Sequence, residues 1–297
     1  MKLRIQKSVP EKRFAVDCVA VLGLLFSALS MPAAAADSAP RESIAANPVA
    51  IPTYADLADL TGPATVVVKA QVRKAAQVPS ERAAGLRSGW TRLYVEAKTE
   101  TVIGGRTALG EVLRYLVDVP LDAKGKAPKL GKRSVILFAR PVEGRPGELQ
   151  LVAPDAQLLW DPTLETRVKG VLAEFYAPGA PQGVAGLREA IHVPGALAGE
   201  GETQFFLTTT SGEPAAVAVY RSPGSEPRWS VSFSELVESG APAPARETLA
   251  WYRLACFLPP QLPVGANISS TPEDQQVAEG DYRFVIEQLG SCPRLRR

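Results

Sequence analysis

The chain has 297 residues, of which 46% are hydrophobic, 22% charged and 7% aromatic, and its formal net charge is +2. This apolar fraction excludes a disordered chain, and the 24 glycines and 26 prolines exclude a collagen-like one. The length predicts one or two domains, each large enough to bury a hydrophobic core.

The first 36 residues have the features of a secretory signal peptide. A basic start precedes an uncharged apolar core of 12 residues at 18–29, and the three alanines ending at Ala36 predict cleavage before Asp37. An uncleaved anchor is the alternative, but a span needs about 20 apolar residues and Asp17 prevents extension of the core. We therefore expect a periplasmic or secreted protein with no transmembrane anchor after cleavage.

Removal of this segment changes the charge of the protein. The segment carries five Lys/Arg and two Asp/Glu, so its loss changes the formal net charge from +2 to −1. A nearly neutral chain has no overall electrostatic attraction for nucleic acid, and we expect no nucleic-acid partner.

Two of the three cysteines, Cys256 and Cys292, remain after cleavage. An even pair in an oxidising compartment predicts a disulfide between them. The alternatives are two free buried thiols or a cysteine nucleophile, which would be at risk of oxidation in that compartment.

The first block of the mature chain has the pattern of an antiparallel β unit. Residues 37–53 lack periodicity and predict a flexible leader, and a short helix is expected at 54–60. Five strand-like segments then follow, at 65–73, 92–101, 112–119, 134–139 and 148–152. Short segments separated by turns predict a five-stranded antiparallel OB-like β-barrel. Asp161 followed by Pro162 predicts a closing helix, so this domain is expected to span 54–177.

A second block follows residues 178–202, which are rich in Gly, Pro and Ala and predict a linker. Segments 203–210, 215–220 and 228–233 predict a three-stranded β-meander. Two helices are expected after it, one at 247–257 and one that begins at Thr271 and ends at Gly290. The predicted fold class is therefore α+β, with a second domain at 203–297.

Residues of the usual catalytic and metal-binding types are scarce. His192 is the only histidine, and its apolar surroundings favour a packed side chain with one hydrogen bond over a general base. No nucleophile-elbow, HExxH or calcium-loop motif occurs, so we expect no metal and no cofactor. Two acidic pairs lie in predicted loops, where carboxylates are usually solvated turn residues: Asp155 with Asp161, and Glu200 with Glu202.

Five positive charges are concentrated between residues 124 and 133: Lys124, Lys126, Lys129, Lys132 and Arg133. The segment is not a phosphate-binding loop, because five residues separate Gly125 from Gly131 where that loop has four, and Arg133 replaces the required Ser/Thr. Two interpretations remain for these cations. They form a solvated turn that protects strand edges from aggregation, or they bind an anionic polymer such as an envelope saccharide or lipid headgroups.

The first block resembles a known family in the order of its strands and in three segments, 54–57, 65–68 and 131–138. Through them, residues 54–160 resemble exported bacterial proteins with an OB-like barrel of the kind seen in tissue inhibitors of metalloproteinases. The resemblance implies the barrel alone, because those inhibitors depend on an N-terminal cysteine and several disulfides that this block lacks.

These observations favour a non-catalytic binding or interaction module of the cell envelope over an enzyme. Its expected partner is another envelope protein or an anionic envelope polymer. The alternative is a hydrolase that acts on envelope saccharide through two carboxylates, which would have to converge in a cleft.

Overall fold

The computed structural model describes residues 51–105, 107–234 and 241–296. The predicted signal peptide and the predicted leader up to residue 50 lie outside these ranges. All described residues belong to one structural unit. None of their helices is both long and apolar enough to cross a membrane.

The first of two antiparallel sheets contains six strands: β1 (Val66–Gln77), β2 (Trp90–Gly105), β3 (Val112–Pro120), β4 (Ser134–Pro141), β5 (Leu149–Leu151) and β6 (Gln157–Leu159). The strand order is β3-β2-β1-β4-β5, and β6 pairs with β4 beside β5. The five predicted strands are confirmed, whereas β6 is a three-residue strand too short to show a period. Between β3 and β5 there is only an isolated bridge, from Arg114 to Glu148, so the predicted closed barrel is wrong for the described strands.

The second sheet has five strands in sequential order: β7 (Val184–Pro194), β8 (Gly201–Thr209), β9 (Ala215–Arg221), β10 (Arg228–Ser232) and β11 (Ala241–Pro242). The predicted meander corresponds to β8, β9 and β10. The predicted linker at 178–202 is wrong in its secondary structure, since β7 lies within it and pairs with β8. Two register shifts, after Val184 and after Leu187, break the alternation of β7 and conceal it in the sequence.

The described residues form four α-helices: α1 (Tyr54–Thr61), α2 (Pro162–Tyr176), α3 (Leu249–Ala255) and α4 (Pro272–Leu289). The N-cap side chains of Asp161 and Thr271 accept hydrogen bonds from the backbone of the first turn. Helix α3 begins two residues later than predicted, because Thr248 is its N-cap and Glu247 has a positive φ of 58°.

The predicted disulfide joins the ends of α3 and α4. Cys256 is the C-cap of α3, and Cys292 lies two residues beyond Gly290, the C-cap of α4. The Cα atoms of the two cysteines are 5.2 Å apart, and their sulfur atoms are at bonding distance.

One cluster of buried apolar side chains includes residues of both sheets and all four helices. Phe138 of β4 and Phe205 of β8 are among its largest fully buried members. The ring of Phe205 packs edge-on against Tyr282 of α4, with centroids 5.3 Å apart. The two sheets are therefore stabilised by a common core.

We predict that Gly105→Ala destabilises the first sheet by about 2 kcal/mol. Gly105 ends β2 with φ of 106°, and a Cβ there would collide with the carbonyl oxygen of Thr65. The measurement is the free energy of unfolding by urea. The matched control is Gly280→Ala within α4, where an added Cβ has no atom within 4 Å. We expect this substitution to stabilise the helix by about 0.5–1 kcal/mol. Equal effects of the two variants would contradict this account.

Candidate functional site

The five predicted basic residues lie in the loop 121–133, which connects β3 to β4, and all five are exposed. The carboxylate of Asp122 accepts hydrogen bonds from the backbone N–H groups of Lys124 and Lys126, at 2.9 and 2.8 Å. These bonds form a turn in the loop. Asp122, the one acidic residue within the loop 121–133, therefore has a structural role in this turn.

The end of this loop runs beside strand β1. The N–H of Lys132 donates to the carbonyl oxygen of Val72 (2.8 Å), and the N–H of Val72 donates to the carbonyl oxygen of Arg133 (2.9 Å). These bonds place Lys132 and Arg133 beside Val72, which is followed along β1 by the exposed residues Arg73 and Lys74. We call the five loop cations together with Arg73 and Lys74 the basic surface.

None of the seven cations of the basic surface is held in an ion pair with another described residue. Sequence inspection missed Arg73 and Lys74 because some fifty residues separate them from the loop, and only the pairing of Val72 with the loop joins them.

The outer face of the first sheet is covered over β1 and β4 and open over β2 and β3. Ile136 and Phe138 on β4 are fully buried on this face, whereas Tyr94 on β2 and Leu116 on β3 are 47% and 48% exposed. Tyr94 and Leu116 are directly paired across the two strands. An exposed aromatic ring and an exposed leucine therefore lie side by side in the centre of the open face.

Two ion pairs flank the Tyr94–Leu116 pair, one on each side along the strands. Arg92 donates to both carboxylate oxygens of Asp118, at 2.7 and 2.9 Å. This bidentate bond raises the pKa of the Arg92 guanidinium, so its charge is permanent. On the other side, Nε of Arg114 lies 3.6 Å from a carboxylate oxygen of Glu96. The shorter, bidentate pair is the more rigid of the two.

A groove of about 730 Å³ follows β3 and separates the open face from β5 and the loop 142–148. The side chains of Leu149 and Leu151, which are buried, contribute to its lining. Its charged lining residues are three arginines and two carboxylates: Arg92, Arg114, Arg145, Asp118 and Glu148. The groove therefore combines apolar surface with a small excess of positive charge.

Main-chain hydrogen bonds hold β3 at both ends of the groove. At one end, the N–H of Arg114 donates to the carbonyl oxygen of Gly147 (2.7 Å). At the other end, the N–H of Asp118 donates to the carbonyl oxygen of Pro154 (2.7 Å). Leu116 lies between these two bonds.

The two carboxylates of the groove are each bonded to an arginine. Glu148 lies 3.3 Å from Nη1 of Arg145, at the end of the groove opposite Asp118. Asp118 is held in its bidentate bond with Arg92.

The acidic pairs in the predicted loops have structural roles. Asp161 caps α2, and Asp155 forms ion pairs with Arg296 at 2.8 Å and Arg87 at 3.9 Å. The side chain of Glu200 accepts from the N–H of Leu197, and Glu202 accepts from the side chain of Gln204. In the described part of the chain, no three His, Cys, Asp or Glu side chains form a metal-binding group.

His192 is buried and hydrogen-bonded, as the sequence predicts. Its Nδ1 lies 2.8 Å from the hydroxyl of Thr203, and that hydroxyl donates its single hydrogen to Asp281 at 2.5 Å. Nδ1 must therefore carry a hydrogen and donate it to Thr203. Nε of Arg221 donates to the other carboxylate oxygen of Asp281 (2.7 Å), which completes a network inside the protein rather than a site in a cleft.

No protein-family model matches the chain. A search of the curated proteins also gives no match. Function must therefore be inferred from the residues of the groove and of the basic surface.

Proposed function

We propose that the protein is a non-catalytic binding module of the cell envelope and that it holds an anionic polymer on its first sheet. The observation that carries the proposal is the basic surface, where seven cations form no ion pair with any described residue. A solvated turn usually mixes charges of both signs, as the neighbouring face does in its Arg92–Asp118 and Arg114–Glu96 pairs. A loop in which five cations accompany one acidic residue, Asp122, has a net positive charge that attracts polyanions instead.

The groove offers such a polymer a second set of contacts. The basic loop begins at residue 121, three residues beyond Asp118, which lines one end of the groove. A polymer that follows β3 would thus pass from the groove to the basic surface. Tyr94 and Leu116 supply apolar contact for its uncharged parts, and the guanidinium groups of Arg114 and Arg145 supply hydrogen-bond donors.

We also propose that the first sheet has an OB-like fold. In the strand order β3-β2-β1-β4-β5, the first and last strands are β3 and β5. The isolated Arg114–Glu148 bridge, which is parallel, brings β3 close to the start of β5. OB-folds are partly open barrels that bind oligosaccharides or oligonucleotides on the face of their second and third strands. The open face over β2 and β3 supports this likeness, which is one of fold alone.

The proposed location is the periplasm or the cell exterior, after cleavage near Ala36. The basic start and apolar core of the first 36 residues support export. The Cys256–Cys292 disulfide also supports it, since disulfides persist mainly in oxidising compartments.

Reversal of two loop charges tests the proposal. We expect Lys126→Glu with Lys129→Glu to weaken binding to an immobilised polyuronate at least about 30-fold at 0.1 M salt, because each lost cation contributes about 1 kcal/mol towards an anionic surface and the two new carboxylates repel the polymer. The measurement is the dissociation constant as a function of salt concentration. We expect the wild-type affinity to fall steeply with salt and that of the variant to depend on salt much less.

The matched control is Arg228→Glu with Arg283→Glu. These exposed residues lie on the second sheet and on α4, and the pair changes the net charge by the same amount. The control should retain the wild-type affinity within about threefold. Equal losses in both double variants, or no binding by the wild type, would reject the basic surface as a polyanion site.

A further inference from the structure

The segment that follows α4 is fixed to the first helix. Asp56 of α1 accepts hydrogen bonds from the backbone N–H groups of Leu295 and Arg296, each at 3.1 Å. Nε of Arg294 donates to Asp59 at 2.6 Å. Residues 292–296, which we call the arm, are thus held at several points and begin at the disulfide-bonded Cys292.

The last described residue of the arm contacts the turn that lies at one end of the groove. The Nη2 atom of Arg296 donates to the carboxylate of Asp155 at 2.8 Å, and the two side chains are only 17% and 18% exposed. Asp155 directly follows Pro154, whose carbonyl oxygen accepts the N–H of Asp118 at one end of the groove. Arg87 also pairs with Asp155, but at 3.9 Å and with a side chain that is 44% exposed. Arg296 is therefore the stronger partner.

We propose that Arg296 is a positioning residue for the groove. Its ion pair with Asp155 holds the turn at 153–156 against β3, and the Cys256–Cys292 disulfide anchors the arm that carries it. The inference rests on the proposed function in one respect, namely that the groove is the binding site. The contacts themselves are tested without a ligand.

The two ends of the groove provide an internal comparison. The arm contacts the Pro154 end, where the reporter is the amide of Asp118. At the other end, the amide of Arg114 is bonded to Gly147 within the loop 142–148, and no hydrogen bond or ion pair given by the described residues of the arm involves that loop. Loss of the Arg296–Asp155 ion pair should therefore accelerate exchange of the Asp118 amide alone. A general loss of stability would accelerate exchange of both the Asp118 and the Arg114 amides.

The test is residue-resolved amide hydrogen exchange, measured by NMR on the wild type and on Arg296→Gln. We expect exchange of the Asp118 amide to become about tenfold faster while the Arg114 amide changes by less than about twofold. Arg296→Lys keeps the charge and should restore most of the protection of Asp118. The control Arg145→Gln removes the same charge at the other end of the groove and should leave the Asp118 amide unchanged.

The disulfide provides a second test of the arm. Cys256→Ser with Cys292→Ser should also accelerate exchange of Asp118 more than that of Arg114, if the bridge anchors the arm. Equal acceleration at both amides in either variant, or no change at Asp118, would overturn the inference. Polyuronate binding by the wild type is measured separately, so a wild type that does not bind would reject the proposed function while the exchange result still decides the role of Arg296.

Discussion

Asp281→Asn is expected to lower the free energy of unfolding by about 3 kcal/mol. Asp281 is fully buried on α4 and is the only carboxylate that Arg221 contacts among the described ion pairs. An asparagine of the same shape cannot balance the charge of Arg221. Its single amide oxygen could accept from Arg221 or from Thr203, and its NH2 group would then face the other residue, which already donates its own hydrogen at this position.

The loss spreads beyond the ion pair because four residues share the network. Thr203 donates to Asp281, so the hydroxyl of Thr203 can accept from His192. Without the carboxylate, that hydroxyl must reorient or remain unsatisfied inside the protein, which adds to the cost. The network joins α4 to strands β7, β8 and β9, so the variant should loosen the attachment of this helix to the second sheet.

Urea denaturation monitored by the fluorescence of the tryptophans measures this effect. The matched control is Glu287→Gln, which removes the same charge from an exposed position on the same helix. We expect it to change the free energy of unfolding by less than about 0.5 kcal/mol. If the two variants were equally stable, the buried network would not contribute as argued.

The features that the sequence predicts correctly are those encoded locally. The N-caps Asp161 and Thr271 are each followed by proline at the first helical position, so both helices can be located from neighbouring residues. Period-two alternation similarly reveals β1, β2 and β3, and a continuous apolar run reveals β4. Strand β7 escaped prediction because two bulges shift its alternation.

The candidate groove could not be predicted, because its residues come together only through the sheet register. Arg92 and Asp118 are opposite each other on β2 and β3, and Pro154 joins them from beyond β5. The ion pairs Arg221–Asp281 and Arg296–Asp155 join residues 60 and 141 positions apart. No local sequence pattern distinguishes a charged residue that forms such a long-range ion pair from the many charged residues that are solvated. The disulfide was predictable because only two cysteines follow the predicted signal peptide, which leaves one possible pairing.

Replacement of both bridged cysteines by serine is expected to lower the free energy of unfolding by about 4 kcal/mol. The bridge closes a segment with a sequence separation of 36 residues. In the unfolded chain this closure removes many extended conformations, and their return in the variant stabilises the unfolded state. In the folded protein the bridge joins the ends of α3 and α4 and begins the arm that reaches Asp56, Asp59 and Asp155.

A dithiol reductant separates the contribution of the bridge from the effect of the serine side chains. The wild type under reducing conditions should lose nearly the same stability as the double serine variant, whereas the variant should not respond to reductant. Alkylation of the unreduced wild type, followed by mass spectrometry, should modify neither Cys256 nor Cys292. Two alkylated thiols would show that the pair is not bonded in the isolated protein. In that case the arm would be held by its hydrogen bonds to α1 and by the Arg296–Asp155 ion pair, and the role of the bridge as its anchor would have to be abandoned.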